Sequence, residues 1–358
     1  MHDQSFKKIA LVWTEFQANI LMSIMNSSGI SRFDIVFLRD KIASSTRLSE
    51  FADRVVILKD ISLSYRNMLL IRSEVATKVI PAIPEVPFDL WLCNYTFPSS
   101  RRLMFDKMCK SITLFEEGTG CYVNTGVMNS IYGNRAFISA FLLKISYPDY
   151  GGSIRYLPKA KTKGKWGLFS GCFPELDLPE RCIDHLDFER TLDSIMCGNR
   201  EAFTVPPGSA VYVPSPFGDI NLLSQEIDYQ INRECLLSFI KEYRGTKLIL
   251  WKPHPRCIMA NDIEKAKKLS DLTGIEIRIV KERSNFEEFL FSIRCISSLP
   301  VFSTTSSSLF IAKALSHRGL EAVSIKSITQ LDCMNSSQLI YDVFKRVGVK
   351  LIDSSQGR

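Results

Sequence analysis

Short runs of consecutive apolar residues alternate along this chain with stretches whose apolar positions recur every three or four residues. The short runs have no polar residue at every second place, so they read as strands buried on both faces. The longer stretches read as amphipathic helices. Residues 7–13 (KKIALVW) have the strand pattern, and 17–28 (QANILMSIMNSS) have helical spacing. Further strands are expected at 32–40, 53–60, 88–95 and 110–118, each rich in Val, Ile, Leu or Phe and bounded by polar residues. The stretch 63–83 supplies a helix between two of them and ends near Pro81. Strands separated by helices imply βαβ units and a parallel sheet.

A second series follows the same logic. A strand at 209–216 ends in a Pro-rich turn, and a helix at 230–245 closes at Gly245. A strand at 246–253 precedes a helix at 262–274, where Gly274 is a stop signal. Then come a strand at 275–282, a helix at 285–294, a strand and loop from 295, a helix at 308–319 and a final strand at 320–326. The Lys- and Gly-rich stretch 158–171 (PKAKTKGKWGLFSG) reads as a surface segment within or leaving the first domain. The apolar stretch 136–147 contains Lys144 and falls short of the roughly 20 residues that span a bilayer, so it reads as a core helix. The expected fold class is α/β, with two Rossmann-like domains facing across a cleft. The expected domains are 1–205 and 206–358, the last helix packing back on the first domain.

Composition narrows the class of protein. At 358 residues, 46% hydrophobic and 23% charged, the chain can bury a large core as an ordinary globular protein. A net charge of +7 suits anionic partners such as nucleotides, acidic glycans or anionic lipid surfaces. No zinc-finger, RRM or basic-helix signature is present, so no nucleic-acid partner is expected. The ten cysteines are scattered without a C-x-x-C pair, which argues against a zinc ribbon or thioredoxin-type site and for reduced thiols in a cytosol. The apolar run 9–13 is too short for a signal peptide and is followed by Glu15.

Open parallel sheets bind ligands at the carboxyl ends of their strands, and three strand ends carry chemistry. In LFEEGTGCY (114–122), Leu114 and Phe115 finish a strand, and the carboxylates Glu116 and Glu117 follow, just before Gly118 and Gly120. Adjacent carboxylates repel, so one gains a raised pKa and becomes a proton acceptor. The structural alternative is a solvated turn that opens a helix. In ILWKPHPRC (249–257), Lys252, His254 and Arg256 place three potential cations within five residues, with Pro253 and Pro255 fixing the backbone. They make an anion site in which His254 can hold a phosphate or act as general acid; an exposed turn histidine is the alternative. In VFSTTSSSLFIAKAL (301–315), six consecutive hydroxyl residues, Ser303 to Ser308, end a strand and open a helix. A helix N-terminus binds phosphate, although one N-cap needs only one hydroxyl. Lesser candidates are Ser215 in the turn VPSPFGD, Glu287 and Glu288 for ribose hydroxyls, and the 159–165 lysine run as a guide for an anionic acceptor or membrane surface. His2, His185 and His317 read as surface or packing residues.

Together EEG (116–118), HP (254–255) and TTSSS (304–308) resemble the motifs of bacterial sialyltransferases, the group of lipooligosaccharide sialyltransferases and capsular polysialyltransferases. Their order and approximate spacing agree with that family's D/E-D/E-G, HP and Ser/Thr pair. Residues 12–21 (VWTEFQANIL) resemble the group's first strand and loop, where T/S-P-x-Q would supply Gln17; here Glu15 replaces the proline. The resemblance implies a GT-B-type, metal-independent, inverting glycosyltransferase whose donor is CMP-sialic acid. Glu116 would be the general base, with Glu117 as runner-up, and His254 the general acid on the CMP phosphate. Ser306 and Ser307, with Thr305 and Ser308 close behind, would bind that phosphate, and Lys252, Pro255, Arg256 and Gly118 complete the substrate contacts. The acceptor would be a surface polysaccharide or lipopolysaccharide, lipid-linked at the inner face of the inner membrane. Use of CMP-Kdo or another nucleotide sugar is the alternative among enzymes, and a nucleotide-sugar-binding scaffold the alternative outside them.

Overall fold

The computed structural model describes residues 6–44, 46–61, 67–123, 157–196, 203–254, 257–280, 286–294, 298–334 and 336–354. The helix expected at 136–147 lies outside the described residues, as do Pro255 and Arg256. The chain divides into two compact units, Met1–Thr191 and Leu192–Arg358, where the sequence reading set the junction at 205/206.

In the first unit β1 (Lys7–Val12) leads into α1 (Glu15–Ser28), and β2 (Phe33–Arg39) into the short α2 (Asp40–Ala43). After β3 (Ala52–Leu58), α3 (Met68–Glu74) runs on through a π turn and a 3-10 turn that includes Pro81. Next come β4 (Phe88–Leu92), α4 (Pro98–Met104), β5 (Cys109–Phe115), β6 (Thr162–Gly167), β7 (Glu180–Cys182) and α5 (His185–Met196). The seven strands lie in the order β3-β2-β1-β4-β5-β6-β7, every pair parallel. Helix α1 starts where it does because Thr14 and Gln17 form a reciprocal capping box, and it stops at Gly29, whose φ of 71° is left-handed.

The second unit opens with β8 (Phe203–Thr204) and β9 (Ser209–Tyr212), then α6 (Gln225–Glu242), β10 (Leu248–Trp251), α7 (Met259–Thr273) and β11 (Glu276–Ile279). It continues with α8 (Phe286–Ser292), β12 (Ile293–Arg294), β13 (Leu299–Ser303), α9 (Ser308–Ala314) and β14 (Leu320–Lys326). It ends with α10 (Ile328–Cys333), α11 (Ser336–Arg346) and β15 (Lys350–Asp353). Six of these strands form a parallel sheet in the order β11-β10-β9-β13-β14-β15, and β8 pairs with β12 apart from it. Its core is aromatic: Phe239 stacks on Phe302 with ring centroids 3.8 Å apart, and Tyr212 meets Trp251 edge-on at 4.8 Å.

Both sheets reverse their winding once, between β1 and β4 in the first unit and between β9 and β13 in the second. The loops after those strands are where open α/β sheets take ligands. Two sequence expectations are corrected. Residues 158–171 are not simply a surface segment, because β6 pairs with both β5 and β7. Its lysines hide the strand: Lys165 buries its stem and donates Nζ to the Phe173 and Leu176 carbonyls at 3.3 and 3.1 Å. The strand at 320–326 is not the last, because β15 pairs parallel with it. Helix α11, which separates them, packs on β14, β15 and α10.

Candidate active site

The first unit presents its carboxylates where β5 stops. The backbone N–H of Glu116 still donates to the Trp166 carbonyl at 3.0 Å, so the side chain is held by the sheet ladder. Its carboxyl is fully buried. Oε2 accepts two hydrogen bonds of 2.7 Å, one from the Tyr122 hydroxyl and one from the Leu168 amide. Oε1 is buried and accepts none. Burial pushes the Glu116 carboxyl up to about 7, against the pull of the Leu168 and Tyr122 donors. A carboxyl poised there, with one oxygen free of partners, suits proton abstraction near neutral pH.

Glu117 is half-buried, and Oε2 accepts from Asn94 Nδ2 at 2.9 Å. Burial raises its pKa, Asn94 opposes, and the negative charge of Glu175 adds to the rise. Tyr95 donates to Glu175 Oε1 at 3.0 Å, which places that second carboxylate beside the end of β4. Gly118 has φ 125° and ψ −162°, a conformation essentially restricted to glycine, so the EEG turn needs its third residue as much as its first two. Gln17 is buried, and its Oε1 accepts from the amides of Trp13 and Thr14 at 2.8 and 3.1 Å. Its capping duty accounts for that oxygen. Beside it the Arg39 guanidinium lies 4.2 Å from the Trp13 ring centre and 4.6 Å from that of Phe97.

In the second unit three neighbouring strand ends converge. Lys252 N donates to the Tyr212 carbonyl at 2.9 Å and Val213 N to the Phe302 carbonyl at 3.0 Å, so the residues after β9, β10 and β13 lie level. Ser215 Oγ and Thr304 Oγ1 are 3.4 Å apart. Lys252 is buried with Nζ 5.5 Å from the Phe289 ring centre, and His254 is partly exposed. Glu287 is buried and Glu288 partly exposed on α8.

The six hydroxyls divide their labour. Ser303 Oγ donates to the Val213 carbonyl at 2.6 Å, and the Thr304 carbonyl accepts from Ser324 Oγ at 2.6 Å. Thr305 Oγ1 accepts from Gln330 Nε2 at 2.9 Å, and Ser306 Oγ from the Ser308 amide at 3.3 Å. Ser307 is exposed and occupies the N-cap position of α9, yet its side chain caps nothing. The hydroxyls therefore form a partly built, partly solvent-facing lip beside Ser215.

Sequence reasoning missed the residues that hold Glu116 and Glu117. Tyr122 stood inside the stretch LFEEGTGCY without being singled out, and Asn94 ends the apolar run of β4. Leu168 carries no signal, because it contributes only its amide. His185, read as a surface or packing residue, pairs through Nε2 with the Leu168 carbonyl at 3.0 Å and so braces the residue whose amide binds Glu116. Among the described residues no disulfide joins the cysteines, and no helix is long and apolar enough to cross a membrane.

The fold has a known counterpart. A Listeria monocytogenes protein described as a UDP-N-acetylglucosamine 2-epimerase matches with a TM-score of 0.51 at 12% identity, over 96% of this chain and 88% of that one. Two other structures match less well: a UDP-N-acetylglucosamine 2-epimerase (TM-score 0.43, 9% identity, 96% and 87% covered) and the MnaA protein of S. aureus solved with UDP (TM-score 0.45, 11% identity, 96% and 88% covered). At such identities the first of these speaks for the fold alone, that of two Rossmann-like units. No curated protein sequence matches this chain. The family model described as alpha-2,8-polysialyltransferase (POLYST), however, matches residues 3–319, nearly the whole chain. The chain belongs to the alpha-2,8-polysialyltransferase family and is a sialyltransferase, hence a glycosyltransferase.

Proposed function

We propose that the protein transfers sialic acid from CMP-sialic acid to a hydroxyl of a glycan acceptor, with inversion at the anomeric carbon. The observation that carries this reading is the Glu116 carboxyl, buried at a strand end, raised to about 7, with Oε1 unpartnered. In this reading Oε1 takes the proton of the acceptor hydroxyl as its oxygen attacks the anomeric carbon. The bond between that carbon and the CMP phosphate oxygen breaks, and His254 delivers a proton to the departing phosphate. Lys252 and the hydroxyls of Thr305, Ser306, Ser307 and Ser308 stabilise the phosphate charge, with Ser215 beside them. Charge stabilisation by these groups requires no metal at the phosphate. Pro255 and Arg256, which follow His254 in the sequence, complete the substrate contacts, and Glu287 and Glu288 serve the ribose.

The family description supports an α2,8 linkage, in which the accepting hydroxyl belongs to another sialic acid. The acceptor is then a growing anionic chain on a capsular or lipopolysaccharide glycan, lipid-linked at the cytoplasmic face of the inner membrane. The net charge of +7 supports peripheral attraction to such a surface. The test is incubation of purified protein with CMP-sialic acid and sialic-acid- or galactose-terminated acceptors, following CMP release and product linkage. Transfer with inverted configuration is expected, with His254→Asn reducing it at least tenfold. Transfer from CMP-Kdo in preference to CMP-sialic acid, or no transfer from either, would overturn the reading.

A further inference from the structure

A second cluster of chemistry in the second unit has no part in the transfer reaction above. Asp219 lies in the turn after β9, Cys257 in the loop after β10 and Asp262 in the first turn of α7. One carboxylate oxygen from each aspartate and the Cys257 Sγ all lie within 4.8 Å of one another. Three residues from two loops and a helix thus aim ligand atoms at one point.

Asp262 makes this more than a chance meeting of acids. It is fully buried, and neither of its oxygens accepts a hydrogen bond. A buried carboxylate without partners is costly, and such groups call for an ion or a proton. Lys265, whose charge reaches Asp262, gives its Nζ to Asp228 instead. The Trp251 indole N–H and the Cys257 thiol both interact with the carboxylate, but neither meets it in full hydrogen-bond geometry, so it lacks a well-aligned donor. Asp219, by contrast, is well oriented. Its Oδ1 accepts from Gln225 Nε2 at 3.0 Å and Asn261 Nδ2 at 2.7 Å, and its Oδ2 from the Ile258 amide at 2.7 Å. Donors of this kind fix a ligating carboxylate from behind.

We propose that Asp219, Cys257 and Asp262 bind one divalent transition-metal ion of the zinc type. A thiolate with two carboxylates suits Zn²⁺, and three protein ligands leave the fourth tetrahedral position to water. Binding displaces the thiol proton to solvent as the sulfur–metal bond forms, so affinity falls with acid. The ion's effect is on the loop: Cys257 N donates to the His254 carbonyl at 2.8 Å, so fixing Cys257 fixes the backbone that carries His254. The site is independent of which sugar the protein transfers.

Titration of the full-length, metal-stripped protein with Co²⁺ tests this. One equivalent is expected to produce a thiolate-to-cobalt charge-transfer band in the near ultraviolet, and Zn²⁺ to abolish it by competition. Cys257→Ser is expected to remove the band, and Asp262→Asn to weaken Co²⁺ binding at least tenfold. Circular dichroism of both variants with chelator present separates lost binding from lost fold. If Asp262→Asn does not fold, the thiol variant alone decides. The absence of a band in the wild type, or its survival in Cys257→Ser, would overturn the proposal whatever the activity of the protein.

Discussion

The Tyr122 hydroxyl donates to Glu116 Oε2, and this bond, with that of the Leu168 amide, leaves Oε1 as the unpartnered oxygen of a buried carboxyl. A carboxyl held by one oxygen is both oriented and reactive. Its folded pKa of about 7 stands above its ordinary value of 4.5. The native state thus holds the proton more tightly than the unfolded chain. Below 4.5 both states are protonated and nothing is lost. As pH rises from 4.5 to 7 the unfolded chain gives up this proton while the native carboxyl keeps it, and stability falls, by on the order of 3 kcal/mol if the full shift is realised; above 7 the native carboxyl ionises too and the loss levels off.

Glu116→Gln separates stability from activity. The amide keeps an oxygen for Tyr122 and Leu168 but has no charge to bury. The variant is expected to melt at or above wild type at pH 8, and to lose the dependence of stability on pH between 5 and 7 that this carboxyl causes. Transfer is expected to drop by about 10²–10⁴-fold, the usual contribution of a general base. Thermal melts across pH and initial rates at saturating donor check both. A Glu116→Gln variant with wild-type turnover would remove the residue from the reaction.

Tyr122→Phe leaves the carboxyl in place but removes one of its donors. That donor lowers the Glu116 pKa, so its loss moves the acid limb of the rate profile to higher pH. The Tyr122 hydroxyl also accepts from the Phe169 amide at 3.1 Å, so the variant is expected to lose about 1–3 kcal/mol of stability. Rates compared at pH 6 and pH 9 show the effect: a large deficit at the lower pH that shrinks at the higher one. A uniform deficit at both would mean that Tyr122 supports the fold and does not tune the carboxyl.

The hydroxyl run offers a contrast within five residues. Ser303 is fully buried and donates to the Val213 carbonyl, whereas Ser307 is exposed and caps nothing. Ser303→Ala is expected to cost about 1 kcal/mol of stability with its effect on CMP affinity following from that loss. Ser307→Ala is expected to leave the melting temperature unchanged and to weaken CMP binding several-fold. Calorimetric titration of CMP alongside thermal melts checks the pair, and equal affinity for wild type and Ser307→Ala would take Ser307 out of the phosphate site.

Much of this architecture was legible because buried parallel strands are written as unbroken apolar runs. The run ITLF stops abruptly at Glu116, and that abruptness marked both a strand end and a candidate site. Strand β6 was hidden because Lys163 and Lys165 interrupt its apolar signal, and only the loop carbonyls at 173 and 176 explain a buried ammonium there. Strand β15 is four residues long with both ends polar, below what a pattern can declare. The hydroxyls at 303–305 could not be sorted in advance, since their interactions involve Val213, Ser324 and Gln330, remote in the chain. Asp219, Cys257 and Asp262 share no spacing motif for the same reason.

Gly167 ends β6 against the group that holds Glu116. A Cβ there would meet the Tyr122 hydroxyl at 2.8 Å, the Phe169 carbonyl at 2.9 Å and Cys172 Sγ at 3.2 Å. Gly167→Ala therefore pushes on Tyr122, and overpacking of this kind costs about 1–3 kcal/mol. The larger consequence is expected in the rate profile, because a displaced hydroxyl no longer donates to Oε2 and the acid limb moves up as in Tyr122→Phe. The double variant is decisive. Removing the hydroxyl relieves one of the two closest contacts but leaves the Phe169 backbone, so the stability losses are expected to be less than additive without full rescue. Strict additivity, measured by denaturant unfolding of the four proteins, would show that Gly167 acts on the fold without acting through Tyr122.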